Sequence, residues 1–190
     1  MTNIPPDKLR RCADEALKAH GTAYIFEKRA AKIRLRIMVL SFLGIAGPAS
    51  VGAIISTYSL DYKTTKWVLL IAGTIAIVQL LLSVWSLVSC WNDKLAYYLE
   101  SKSSNYNLSS QYQKLFQNAS ISNLGFDSEL SVLDREAEIR AALDNNHDVS
   151  DKEKRMGMRY GLRRYQRPCA SCNEVPTDMK STKCGVCGNI

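Results

Sequence analysis

The sequence predicts a mainly α-helical chain: a transmembrane helical hairpin, a cytosolic helical bundle and a small cysteine-held module at the C-terminus. Three observations carry that expectation. Two long blocks lack any charged side chain, the polar segments around them have helical periodicity, and four cysteines stand as two C-x-x-C pairs within the last 22 residues. The mean hydropathy of the 190 residues is slightly negative, which alone would suggest a soluble protein. The average conceals segregation, because apolar residues crowd into the two blocks while the rest is rich in Lys, Arg, Asp, Glu, Ser and Asn. Such a chain meets two solvents, lipid and water.

Residues 1–36 read as a cytosolic N-terminal helix. Pro5 and Pro6 precede it, no later proline interrupts it, and Leu9, Ala13, Ala16, Leu17 and Tyr24 give an approximate apolar face. Gly21 weakens its middle. It ends in a basic cluster of Lys28, Arg29, Lys32, Arg34 and Arg36 and is expected to run straight into the first span.

The spans are assigned to residues 37–60 and 67–91. A bilayer core about 30 Å thick requires roughly 20 residues at about 1.5 Å each, and both blocks exceed that. Their backbone must be helical, because lipid offers no partner for an open N–H or C=O. Trp67 and Trp91 mark the ends of the second block, where amphipathic rings prefer the interface. Only Asp61 to Lys66 separate the blocks, so the spans form a tight antiparallel pair. Five basic residues precede the first span and only Lys63 and Lys66 lie in the turn. The positive-inside rule then places both termini in the cytoplasm. A cleaved leader would carry a shorter stretch nearer the start. A buried soluble hairpin would not need two uncharged runs of this length.

Each span carries a stripe of small or polar residues. On the second it is Ala72, Ala76, Gln79, Ser83, Ser86 and Cys90; on the first, Ser41, Gly44, Pro48, Gly52 and Ser56. Small residues let helix backbones approach closely, and Gln or Ser can bond across the contact. The stripe serves packing within the hairpin, oligomerisation or a polar path; Gln79, at mid-span, is the costliest group to leave in lipid. Pro48 is expected to kink the first span.

Residues 92–165 are expected to form cytosolic helices. Lys94 to Lys102 and Gln111 to Ala119 read as helical, with Ser101 to Ser110 as a break or a poor helix. A turn over Asn118 to Gly125 follows. Ser128 to Leu143 is an amphipathic helix with Leu130, Leu133, Ala137, Arg140 and Ala141 on one face and Asp127 or Ser128 as its cap. A last helix covers Asp151 to Arg164. Its Arg155, Arg159, Arg163 and Arg164 form a basic surface suited to lipid phosphates or nucleic acid, unless it is simply a solvated helix face.

Residues 166–190 hold Cys169-Ala-Ser-Cys172 and Cys184-Gly-Val-Cys187, separated by eleven residues. Paired C-x-x-C turns supply four thiolates to a tetrahedral ion, and zinc is the expected one. Redox chemistry and an iron–sulfur cluster are the alternatives, and a cytosolic location argues against stable disulfides. Gly185 and Gly188 fit the tight turn around the second pair. Four protein ligands make a closed, structural site, and so short a segment would draw its folding energy from the metal. The expected module is a small C-terminal zinc ribbon.

No catalytic constellation is present. His20 and His147 lie in no nucleophile or metal motif, Asp134, Glu136 and Glu138 read as a charged helix face, and no P-loop or dinucleotide loop occurs. The chain is not expected to be an enzyme.

A basic N-terminal helix, two spans joined by a very short turn and long helices after them resemble the SLATT class, two-transmembrane effector domains of bacterial nucleotide-second-messenger systems. Cys169, Cys172, Cys184 and Cys187 resemble the signature of a mobile-element family named for C-x-x-C, eleven residues, C-x-x-C. What the resemblance implies is a homo-oligomer in the bacterial inner membrane that perturbs the bilayer during anti-phage conflict, switched on by a nucleotide synthase or sensor partner. A zinc tail is not general in the SLATT class. The alternative is a membrane-tethered zinc ribbon that recruits nucleic acid or a protein.

Overall fold

A computed structural model describes residues 4–57, 62–118 and 125–190. Five helices appear in order: α1 (Pro6–Thr57), α2 (Tyr62–Val88), α3 (Trp91–Asn118), α4 (Phe126–Asn145) and α5 (Asp151–Arg164). No strand occurs among the described residues, and the C-terminal module is built from turns alone. The chain divides into a unit of residues 1–28 with 98–190 and a unit of residues 29–97.

In the second of these units, α1 and α2 each contain a stretch long and apolar enough to cross a membrane, with none of either stretch buried within the chain. Thr64–Val88 has 25 residues, about 37 Å of helix against a hydrocarbon core of about 30 Å. Side chains such as Phe42, Ile45, Leu70, Ile77, Leu80 and Leu87 stand outward, far beyond the apolar patches that a water-soluble monomer tolerates. The hydroxyls are satisfied locally: Ser50, Ser56, Thr74 and Ser83 each donate to the carbonyl four residues earlier. α1 is continuous across Pro48. The last residues expected in the first span and the first of the expected turn, 58–61, lie outside the described residues; Tyr62 to Lys66 already belong to α2.

The half-buried seam of α1 runs through Ile37, Leu40, Gly44, Gly47 and Val51. It lies beside the stripe read from sequence, of which Gly44 alone is half-buried. On α2 the seam includes Thr65, Val68, Ala72, Gln79, Ser83 and Ser86, while Ala76 is exposed. Cys90 is not on the α2 face at all. α2 stops at Val88, and Cys90 takes a left-handed φ of 51° that starts α3. Its carbonyl accepts from Lys94 N–H. At the same end of the hairpin, the Arg36 guanidinium lies 5.8 Å from the Trp91 ring centroid, a cation–π distance.

The other unit packs the start of α1 against α3, α4 and α5. One core holds Cys12, Ala16, Tyr112, Leu115, Phe126, Leu130 and Leu133. α3 runs unbroken through Ser101 to Ser110, where a break was expected, because those polar residues face inward and find partners. Ser101 and Asn105 donate to the two oxygens of Asp144 at 2.8 Å each, and Ser109 donates to Ala16 O at 2.8 Å. Arg140 completes the network, 2.8 Å from Asp144 and 2.9 Å from Glu100. A fully bonded buried network is tolerated where a half-bonded one is not. α4 begins two residues early, at Phe126, with Gly125 at φ 88° as its N-cap. Neither Asp127 nor Ser128 caps it: Asp127 pairs with Lys8, and Ser128 donates back to Gly125 O. α5 has the expected bounds, set by a capping box in which Ser150 and Glu153 bond each other's backbone N–H.

Gly21 holds α1 and α5 together. A Cβ there would sit 2.6 Å from Gly157 O, and one at Gly157 would sit 2.8 Å from Gly21 O. Gly161 meets Leu17 O in the same way at 2.9 Å. The crossing is backbone on backbone, and only glycine permits it.

Candidate metal centre

The four cysteines of the tail converge. Their Sγ atoms all lie within 4.8 Å of one another, with Cys169 to Cys184 at 3.9 Å and Cys172 to Cys187 at 3.7 Å. A tetrahedron of thiolates 2.3 Å from a central zinc has edges of about 3.8 Å, so the cage already has the size of an ion. None of the four is in a disulfide; Cys169 and Cys187 are buried, and Cys172 and Cys184 half-buried.

Each pair closes on a turn. In the first, Asn173 N–H donates to Cys169 O at 2.8 Å, and Cys169 N–H to Glu174 O at 2.9 Å. Asn173 takes a φ of 56°, a left-handed conformation that Asn tolerates better than most residues. In the second, Gly188 N–H donates to Cys184 O at 2.9 Å, Asn189 N–H to Thr182 O at 2.8 Å, and Val186 N–H points at Cys184 Sγ, 3.5 Å away. The two glycines differ. A Cβ on Gly188 would lie 2.4 Å from Thr182 O and 2.7 Å from Cys184 O, whereas one on Gly185 would meet nothing within 4 Å. Gly188 is required; Gly185, expected to be needed with it, stands in open space.

The electrostatics suit a metal-binding thiolate set. Backbone N–H groups of Cys187 and Val186 pull the Cys184 thiol down to about 6. Burial, with the neighbouring thiols, pushes Cys187 up. A thiolate among crowded thiols is stabilised best by a cation at their centre.

The tail seats on the helices. Cys169 and Cys187 pack with Leu17 of α1 and Leu162 of α5, flanked by Met158 and Tyr165. Arg167 reaches Asp14 of α1 at 2.6 Å. The expected basic surface divides: Arg163 and Arg164 are exposed, Arg155 donates to Asn189 O at 3.4 Å, and Arg159 is buried. Arg159 is therefore no surface contact for an anion, because its guanidinium is enclosed by the tail.

Sequence reasoning missed the aromatic cluster around His20. Tyr160 stacks on the imidazole at 5.4 Å, with Tyr106 and Tyr165 edge-on at 5.0 and 5.6 Å. Tyr24 stacks on Tyr160, and Tyr106 donates to Glu27 at 2.9 Å. Burial, helped by Arg164 and opposed by Glu27, lowers the His20 pKa, and its Nε2 is buried without a hydrogen-bond partner among the described residues. Tyrosines at four separate places in the sequence gave no signal of this meeting. His147 lies edge-on to Tyr98 at 5.9 Å, and Asp134 accepts from Tyr112 and pairs with Arg11, so the acidic face of α4 is partly a tether.

On α2, Gln79 lies over Gly44 of α1, so that a Cβ on Gly44 would be 2.6 Å from Gln79 Nε2. That contact brings together one residue from each of the two stripes.

No curated protein and no solved structure matches the chain. The profile of the mobilome CxxCx(11)CxxC proteins matches residues 9–190, which takes in the apolar helices and all four cysteines, and the chain belongs to that family.

Proposed function

We propose that this protein is an oligomeric effector of the bacterial inner membrane, of SLATT-like type, which forms a pore or otherwise disrupts the bilayer within a nucleotide-signalled anti-phage system. Both termini lie in the cytoplasm in this reading, and a nucleotide synthase or sensor acts as the switch. The tail holds structural zinc, and no step of catalysis is assigned to the chain. One observation carries the reading: α1 and α2 each hold an apolar stretch with none of it buried, in a chain that buries an ordinary core between the start of α1, α3 and α4. Membership of a mobilome family supports a role in conflict between mobile elements and their hosts. The small-residue seam of Ala72, Ser83 and Ser86, with Gln79 against Gly44, supports close helix packing.

A membrane-tethered module for nucleic acid is less favoured, since Arg159 is spent on the tail and Arg155 leans on it.

The test is membrane potential in cells that express the chain together with its neighbouring genes. Depolarisation within minutes of triggering is expected, with Gln79→Leu changing its extent. A potential that never moves, with the chain present in the membrane, would overturn the effector reading.

A further inference from the structure

Arg159 lies in α5, yet among the described residues every partner of its guanidinium belongs to the tail. Nε donates to Asp178 O at 2.8 Å, one terminal nitrogen to Asp178 Oδ1 at 3.1 Å, and the other to Cys187 O at 3.2 Å. The side chain is 6% exposed. Asp178 sits in the loop between the two cysteine pairs, and Cys187 is the last of the four candidate ligands. One side chain thus grips both the loop and the second turn.

An enclosed guanidinium stripped of its partners is strongly destabilising. The buried pose of Arg159 is therefore compatible only with a seated, folded tail. The tail has no core of its own beyond the cysteines and the residues they touch on α1 and α5, so its order would depend on the ion. Whatever folds the tail then also satisfies Arg159, and by linkage whatever holds Arg159 in place favours the folded tail.

We propose that Arg159 is a positioning residue that couples metal binding at Cys169, Cys172, Cys184 and Cys187 to the docking of the tail on α5 and α1. Through it, metal occupancy stabilises the α1–α5 crossing at Gly21, Gly157 and Gly161. The inference rests on metal binding at the four cysteines and is independent of what the apolar helices do.

The experiment uses the full chain in detergent micelles. Cobalt(II) is titrated in, and the thiolate charge-transfer and ligand-field bands report tetrahedral coordination. Zinc competition against a chelating dye gives the affinity, and thermal unfolding is followed with and without chelator. Wild type is expected to show a four-thiolate cobalt spectrum that Cys184→Ser abolishes, and chelation is expected to lower the melting temperature of the helices. Arg159→Gln is expected to keep the tetrahedral spectrum, to bind zinc about 10- to 100-fold more weakly, and to lose most of the melting shift on chelation. Should Arg159→Gln not fold, Asp178→Ala removes the half-exposed partner and is expected to weaken zinc several-fold. Zinc affinity unchanged in these variants, or helices that melt at the same temperature with and without metal, would overturn the coupling. A wild-type chain that takes up no cobalt would overturn the metal site itself, a result plainly distinct from the others.

Discussion

At the scale of single residues, two sites turn geometry into measurable consequences. Gly188 and Gly185 look alike in sequence, both beside cysteines of the second pair. Only Gly188 is walled by carbonyl oxygens at contact distance. Gly188→Ala should therefore weaken metal binding at least about tenfold, the scale of disturbed ligand support, and Gly185→Ala should leave it unchanged; zinc competition on the two variants checks this. The spacing of the cysteines was legible because a C-x-x-C pair is a local device. Which glycine mattered was not, because Thr182 reaches Gly188 only once the loop has closed. His20 is the second site. Its folded pKa lies below the ordinary value near 6.5, so below about pH 6.5 the unfolded chain binds more protons than the folded one. Stability present above that pH is then lost as the pH falls through and below it. The groups that face the ring are Tyr106, Tyr160 and Tyr165, with Glu27 opposing and Arg164 assisting the shift. His20→Phe, which keeps the stacking and removes the proton site, should flatten the fall in melting temperature between pH 7 and 5. An unaltered slope would assign the acid sensitivity to other groups.

α5 has the bounds its sequence suggests, since the signals that set it are local: Ser150 and Glu153 close a capping box at one end, and Arg163 and Arg164 stand in the last turn. α3 was not legible in this way. Ser101, Asn105 and Ser109 look like a break until Asp144, some forty residues later, and the carbonyl of Ala16 supply their partners. Polarity marks a break only where nothing distant satisfies it. Gly21 follows the same pattern. Propensity alone predicts that Gly21→Ala would stabilise a helix by about 1 kcal/mol. Its Cβ would instead meet a main-chain oxygen of α5 at 2.6 Å, and overpacking of this kind costs about 1–3 kcal/mol. The steric term is the larger, so Gly21→Ala should lower stability in chemical denaturation, and a rise would mean that α1 and α5 do not cross there. In the hairpin the helical nature of both blocks was plain from the absence of charge. The seam on α1 lay one residue from the stripe that composition suggested, because Ile37, Leu40 and Val51 pack as well as small residues do. The first polar residue after the second block's last valine, not its final tryptophan, marks where α2 gives way to the left-handed Cys90.

For the whole molecule, the sequence separates two long apolar segments from the polar remainder, and both are helical among the described residues. How α1 shares one core with α3 and α4 and another with α5 and the tail did not follow, since Cys12, Tyr112 and Leu133, like Leu17, Leu162 and Cys187, are brought together from distant segments. In the proposed effector the apolar surfaces of α1 and α2 are solvated by hydrocarbon. In water their exposed leucines, isoleucines and phenylalanines would drive aggregation; in a bilayer they need nothing further. The most direct measurement is alkaline carbonate extraction of membranes from cells making the full chain, followed by separation on a flotation gradient. The protein is expected to float with the extracted bilayers, as a chain that crosses them must. Recovery in the supernatant as a dispersed, folded protein would contradict the membrane hairpin.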